Sequence, residues 1–454
     1  MADDATASLY VAAIPFPGRG HVNPLLNLCK IMAQKKPDIH IAFIVTEEWL
    51  GLLHGSPSNE PLAPTIIFAT IPNVLPSEKG RGADMDGFID AVLTKMAQPV
   101  EQLLDRFDLP VQLIVADTFL SWAVEVGNLR NVPVASFWPA SASMLSMFVH
   151  YDLIVDNLAQ LGINHKQCLE NIPGISSISI ADLPDGFSIE SKSKMSKILY
   201  MISMLKNTRC LLFRTIEELE EHAISALKPK LSVPMYTIGP CIPSLTLDNI
   251  TTNQPSYIAW LSSQPQKSVL YVSLGSVISI SSHQMDELAA GLRNSGVRFL
   301  LVSRGEALKF QGGCGEKGMV VPWCDQSNVL GHGSVGGFLT HCGWNSVIES
   351  IFTGVPMITF PLLIDQKPNS KLVVEDWGVG WRGKSKAEVF LRGSVVGRDR
   401  IAQLVKMFMD LESEERKNLE GRCTEVREMV RATIGRGGSA QVGFDAFLAN
   451  ISDI

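Results

Sequence analysis

The stretch Gly336-Gly337-Phe338-Leu339-Thr340-His341-Cys342-Gly343-Trp344-Asn345-Ser346-Val347-Ile348-Glu349 passes from one kind of element to another within a few residues. Gly337 to Thr340 reads as a buried strand, and Asn345 begins a helix. Outward from this unit the alternation repeats. Ahead of it lie Ser268 to Ser273 followed by Gly275, a helix over Gln284 to Asn294, and strands over Phe299 to Ser303 and Met319 to Pro322; behind it lies Met357 to Phe360. Nearer the start, Leu9 to Ile14 reads as a strand and Asn23 to Met32 as a helix. Ile39 to Thr46, Thr65 to Thr70, a helical Phe88 to Leu104, Leu113 to Ala116 with Asp117, and Val134 to Trp138 follow. Near-continuous apolar strands alternating with helices imply parallel sheets covered on both faces.

The pattern stops between Ile238 and Pro255, where Gly239, Pro240, Pro243, Asp248, Asn249, Asn253 and Pro255 occur without periodicity. That segment reads as a connector. It divides the chain into residues 1–237, a linker over 238–255, and a second half over 256–430. Helices over Asp399 to Met409 and Glu412 to Ile434 close the second half. The remaining 431–454, with Ser439 to Ala449, is expected to pack back on the first half. Two doubly wound halves facing across a cleft would hold a ligand at the carboxyl ends of their strands.

Composition bounds the partners. The chain has 454 residues, enough for two or three domains at roughly 150 residues each. A net charge of −7 argues against nucleic acid as a partner. No run approaches the 18 or so apolar residues that cross a bilayer, so no integral membrane segment is expected. Met1-Ala2-Asp3-Asp4 is acidic where a signal peptide would be basic, and the eight cysteines include no Cys-x-x-Cys pair. A cytoplasmic chain with reduced thiols, working as a monomer, is expected.

Several strand ends carry residues with chemistry. Phe16-Pro17-Gly18-Arg19-Gly20-His21 joins the first strand to the first helix, and Asn23 stands where a dinucleotide fingerprint needs its third glycine. That weakens a nicotinamide or flavin oxidoreductase. His21 could serve as a general base, or be a loop histidine held by a carbonyl. Asp117, at the same sheet edge, could orient His21 or cap a helix. The first-turn N–H groups near Gly343 to Ser346 make a candidate phosphate site, with Ser276 a further contact. Glu349, one turn on from Asn345, could accept from sugar hydroxyls, although Ser346-x-x-Glu349 also reads as a capping box. Trp323 could stack on a base or sit in the core, and Asp365-Gln366 could hold a sugar or belong to an ordinary loop. Asp84-Met85-Asp86 is an Asp-x-Asp of the kind expected by chance.

Trp323 to Gln366 resembles the signature box of the plant UDP-dependent glycosyltransferases for small molecules. The agreement includes Trp323, Gln326, His332, Gly336, Phe338, Thr340 to Ser346, Glu349, Gly354, Pro356, Pro361, Asp365 and Gln366. Gly20-His21, Asp117, Ile238-Gly239-Pro240 and Leu274-Gly275-Ser276 extend the likeness over essentially the whole chain. The resemblance implies a GT-B fold of two Rossmann-like domains. It also implies Trp323 stacked on uracil, with Gln326 beside the nucleoside, Glu349 on the ribose and Cys324 among the donor-binding residues. Ser276, His341, Gly343, Asn345 and Ser346 would meet the diphosphate, and Trp344, Asp365 and Gln366 the transferred sugar. Gln366 is similar to the glucose-using members. Two positions depart: Asp325 replaces a usual Pro, and Pro139 replaces a Thr that touches the sugar, a role Ser141 could take over.

Inverting transfer of glucose from UDP-glucose to an acceptor hydroxyl, giving a β-O-glucoside, is therefore expected. His21 would act as base, oriented by Asp117, with no metal and no cofactor. Another UDP-sugar, or a binder without catalysis, is the alternative. The acceptor pocket is expected from Phe16, Phe119, Trp138, Ser141, Met144, Phe148 and Met201, with Leu145, Met147, Met195, Tyr200 and Met204 nearby. Adaptable apolar residues suit a flavonoid, phenolic or terpenoid, whereas a Met stripe at helical spacing is more often helix core.

Overall fold

Fifteen strands are present among the residues described by the computed structural model, which are 8–55, 62–78, 84–161, 167–188, 191–242, 255–275, 281–303, 314–382 and 395–452. They are β1 (Leu9–Ile14), β2 (Ile39–Thr46), β3 (Ile66–Ile71), β4 (Leu113–Asp117), β5 (Val134–Trp138), β6 (Cys168–Leu169), β7 (Ile178–Ser179), β8 (Cys210–Phe213) and β9 (Met235–Thr237) in the first half. In the second half follow β10 (Val269–Ser273), β11 (Arg298–Val302), β12 (Gly318–Val321), β13 (Val335–Thr340), β14 (Met357–Thr359) and β15 (Gly380–Trp381). One parallel sheet runs β3-β2-β1-β4-β5-β8-β9 and the other β12-β11-β10-β13-β14-β15, with β6 and β7 a small antiparallel pair.

Every residue of β4, β5 and β13 is buried, as apolar strands with helices on both faces must be. In the first sheet β1 lies between β2 and β4, pairing Ala13 with Val115 and Ile14 with Ala116. The segments just beyond β1 and β4 therefore emerge side by side, and they carry His21 and Asp117. In the second sheet β10 lies between β11 and β13, pairing Ser273 with Thr340, so Gly275 and His341 leave the same edge together.

The helix expected over Phe88 to Leu104 is two helices, Met85–Lys95 and Ala97–Leu104. Pro99 lies in the first turn of the second, where it cannot donate to the carbonyl of Lys95, and the helix is interrupted at Met96. Asp84, the first acid of the Asp-x-Asp, caps Met85–Lys95 by accepting from the Gly87 N–H at 2.9 Å. No helix among the described residues is long and apolar enough to cross a membrane.

The C-terminal helix Ser439–Ser452 places Phe444, Phe447 and Ile451 in one apolar cluster with Leu9, Val11, Leu25 and Phe43 of the first half. Lys35 pairs with Asp445 at 2.6 Å, and the Arg209 Nε donates to the Asn450 side chain at 2.8 Å. Of the expected connector, residues 243–254 lie outside the described residues. The halves also meet directly. Arg382, just past β15, is held by both oxygens of Asp182 at 2.8 and 3.0 Å, and Lys367 pairs with Asp185 at 2.8 Å.

Candidate active site

The helix after β1 spans Arg19–Lys35 and starts four residues ahead of its expected position, with His21 in its first turn and Gly18 at its N-cap. The His21 Nδ1 lies 2.8 Å from the Asp117 Oδ2. The Asp117 side chain is sealed from solvent while His21 is 27% exposed. The other carboxylate oxygen accepts the Phe119 N–H at 3.0 Å, which fixes the carboxylate plane. Asp117 caps no helix, since the following one is Ser121–Leu129 with Leu120 at its N-cap. With Nδ1–H donated to the carboxylate, the lone pair sits on Nε2, which has no partner among the described residues.

Across the cleft, the helix after β13 is Trp344–Thr353, and its N-cap Gly343 offers no side-chain bond. The capping-box reading of Ser346 and Glu349 therefore fails: Ser346 is the third helical residue, and its Oγ accepts from Gln326 at 2.9 Å instead. The first-turn N–H groups are left for a ligand. His341 is wedged between two glycines, since a Cβ at Gly275 or Gly343 would stand 2.6 or 2.5 Å from its Nε2. Gly275 also has φ of +84°, a backbone state that favours glycine. Burial pushes the His341 ring down to about 4, so it is neutral at physiological pH. Ser276, the remaining expected phosphate contact, lies outside the described residues.

Trp323, expected to meet a nucleoside, is half-buried in the loop after β12 and takes part in none of the ring contacts among the described residues. Cys324 points into the core, 6% exposed, its thiol 3.3 Å from the Tyr271 hydroxyl and pushed up to about 12 by burial. Only its main chain can face a donor. Asp325 caps the short helix Gln326–Leu330 by accepting from the Asn328 N–H at 3.1 Å, and its own N–H donates to the Tyr257 hydroxyl at 3.1 Å. This departure from the family pattern thus builds two bonds that proline could not. Gln326 donates to both Ser346 and Glu349, the latter at 2.8 Å, and accepts from Tyr271 at 3.2 Å. Burial pushes the Glu349 carboxyl up to about 7, against the lowering pull of Gln326 and the Arg214 charge.

Trp344 is 4% exposed and its indole donates to the Arg214 carbonyl at 2.9 Å, so the ring is committed to the core and only its main chain can meet a sugar. Asp365 is half-buried in the loop after β14. Burial pushes it up to about 6, opposed by the Asn369 amide at 2.9 Å and by the charge of His21. The Gln366 Oε1 accepts the N–H groups of Leu362 and Leu363 at 2.8 and 3.0 Å, leaving its amide nitrogen without a partner among the described residues.

The expected acceptor residues separate into two groups. Phe16 and Phe119 flank His21 with ring centroids 5.0 and 5.8 Å away, and Phe88 packs on Phe16. Trp138, Ser141, Met144 and Phe148 are buried behind them, at most 4% exposed. Ser141 caps the helix Ala142–Val149 and is sealed from solvent, so its hydroxyl does not serve the sugar in place of the Thr that Pro139 replaces. Met144, Leu145, Met147, Phe148 and Met195 share one core cluster, the helix-core reading. Met201 lines a groove of about 380 Å³ with Trp122 and Glu125, and that lining includes neither Phe16, His21 nor Phe119. Tyr200 is exposed, bonded to Glu125.

Two residues went unnoticed in the sequence. Arg214, just past β8, is 1% exposed and donates to Asn345 from the other half of the molecule, while the Asn345 amide donates to the Gly20 carbonyl at 3.2 Å. Glu220, 3% exposed, accepts the N–H groups of Ala142 and Ser143 at 2.8 and 2.9 Å and so anchors the start of the Ala142–Val149 helix. A charged residue immediately after the apolar run Cys210 to Phe213, at a strand's carboxyl end, was the available signal for Arg214.

A family model described as UDP-glucoronosyl and UDP-glucosyl transferase matches residues 249–384. The chain is 45% identical over 453 residues to UDP-glycosyltransferase 87A2 of Arabidopsis thaliana, covering 98% of this chain and 97% of that protein. It is 30% identical over 470 residues to the 7-deoxyloganetin glucosyltransferase of Catharanthus roseus, covering 95% and 93%. The solved structure of Medicago truncatula UGT71G1 complexed with UDP-glucose matches with a TM-score of 0.80 at 26% identity, covering 99% of this chain and 100% of that one.

Proposed function

Given that the chain belongs to the plant UDP-glycosyltransferase family and has its GT-B fold, we propose that it transfers glucose from UDP-glucose to a hydroxyl of a small hydrophobic acceptor with inversion at the anomeric carbon. The observation that carries this reading is the His21–Asp117 contact of 2.8 Å, next to Gly20, whose carbonyl accepts from Asn345 of the second half. His21 Nε2 takes the acceptor's hydroxyl proton. The freed oxygen bonds to the anomeric carbon as the bond from that carbon to the β-phosphate oxygen breaks, and UDP departs with the electron pair. Asp117 holds the imidazolium that forms. The open N-terminus of Trp344–Thr353 bears the charge growing on the diphosphate.

Glucose as donor is supported by Gln366 and by relatives named as glucosyltransferases. Phe16, Phe119 and Phe88 beside the base suit a flat or apolar acceptor, such as a flavonoid, phenolic or terpenoid alcohol. Radiolabelled UDP-glucose with a panel of such acceptors tests the reading. Label is expected in a β-glucoside, and purified His21→Ala should lose roughly 10²- to 10⁴-fold in turnover while binding UDP normally. Near-normal turnover by that variant would remove His21 as the base.

A further inference from the structure

Among the described residues, Arg214 is a buried charge with no carboxylate bonded to it. It is 1% exposed, and its place is fixed at both ends of the residue: its N–H donates to the Trp138 carbonyl at 3.2 Å, and its carbonyl accepts the Trp344 indole. The guanidinium has two partners among the described residues, both neutral. Its Nε donates to the Pro240 carbonyl at 3.0 Å, and its Nη1 donates to the Asn345 side-chain oxygen. Its Nη2 has no hydrogen-bond partner among the described residues. Burial lowers its pKa, and the negative charge of Glu349 offsets only part of that cost. Glu349 is itself bound to Gln326 and titrates near 7, so it is an incomplete counter-charge.

A buried guanidinium without a carboxylate is costly unless an anion completes it. Asn345, which it holds, is the second residue of Trp344–Thr353, whose uncapped first turn is the anion-binding end of that helix. We propose that Arg214 is a ligand of the donor's diphosphate, supplied by the first half of the molecule to a site otherwise built by the second. This rests on the UDP-sugar reading above. A planar guanidinium suits phosphate oxygens, and its fixed charge grows in worth as the glycosidic bond breaks and negative charge collects on the β-phosphate. It also gives the diphosphate a hold on both halves at once.

Calorimetric titration of uridine, UMP and UDP into wild type, Arg214→Lys and Arg214→Met tests the assignment. Arg214→Met is expected to bind UDP about 10- to 100-fold more weakly, the worth of a charge-assisted bond, while uridine, titrated at pH 8 or above to keep Glu349 ionised, loses far less. Arg214→Lys should fall between. Ligand-free Arg214→Met should melt close to wild type, because removal of a buried cation without a bonded carboxylate offsets the loss of its bonds to Pro240 and Asn345. Equal losses for uridine and UDP, or none for either, would leave Arg214 only as the strut between the halves that its Asn345 bond makes it. Should the variants not fold, a crystal structure of the wild type with UDP decides: a guanidinium nitrogen within roughly 3.5 Å of a phosphate oxygen is expected, and a guanidinium turned away from both phosphates overturns the assignment. Wild type that binds neither UDP nor UMP would overturn the UDP-sugar reading too, whereas wild type that binds UDP no better than Arg214→Met overturns only the role of Arg214.

Discussion

Glu349 is poised between two protonation states at the pH where such a protein works. A carboxyl raised from 4.5 to about 7 is favoured neutral in the folded chain, so its contribution to stability is present below 4.5 and is lost as pH rises through about 7. Ribose hydroxyls need the opposite form, because a carboxylate accepts on both oxygens. Uridine, which has no phosphate to titrate, should therefore bind more weakly as pH falls from 8 to 6, and its binding near neutrality should release protons to the buffer. Titration in buffers of different ionisation enthalpy checks this, and Glu349→Gln should flatten the dependence. Glu349, His21 and Asp117 were legible in the sequence as residue types at strand ends and helical spacing. That Gln326 would spend its amide on Glu349 was not, because the two are joined only when the loop after β12 folds over the helix after β13.

At the scale of the element, Trp344–Thr353 is a helix begun by glycine rather than by a capping side chain. The missing cap leaves first-turn N–H groups open, and the glycine makes room for the His341 ring. Gly343→Ala should drive a Cβ into that ring and weaken UDP binding by about tenfold or more, on the scale of one charge-assisted bond. Isothermal titration measures it, and unaltered UDP affinity would show that the His341 position is immaterial. Strand and helix positions were readable here because buried strands and amphipathic helices have distinct periods. The capping box was misread because Ser-x-x-Glu matches the motif in sequence while the helix starts two residues earlier. The single helix over Phe88 to Leu104 was misread because its apolar pattern continues through Pro99, whose backbone cannot.

Across the whole molecule, the two halves are held at named points: Arg382 with Asp182, Lys367 with Asp185, and Arg214 with Asn345. Asp182 and Arg382 are nearly sealed from solvent, with side chains 11% and 9% exposed. Asp182→Ala would strand Arg382 and should cost about 3 to 5 kcal/mol, read from the urea dependence of unfolding. A double variant that replaces both by apolar residues should recover most of that loss, because the stranded charge is gone. If the single variant matches wild type, the pair does not hold the halves.

By itself the sequence determined the alternation of strands and helices, the two halves, and the family's motif residues at the strand ends of the second half, since these follow from local periodicity and from a long, specific pattern. It did not determine which of those residues face the cleft. Trp344 and Cys324 turn their side chains into the core, Ser141 becomes a buried cap, and Met144 and Phe148 pack behind Phe119. Only the tertiary structure brought Arg214 to Asn345, 131 positions apart in the chain, and set His21 against Asp117, 96 positions apart. The reason is physical: side-chain direction and charge compensation depend on what the opposite sheet places nearby, and no spacing within one element carries that information.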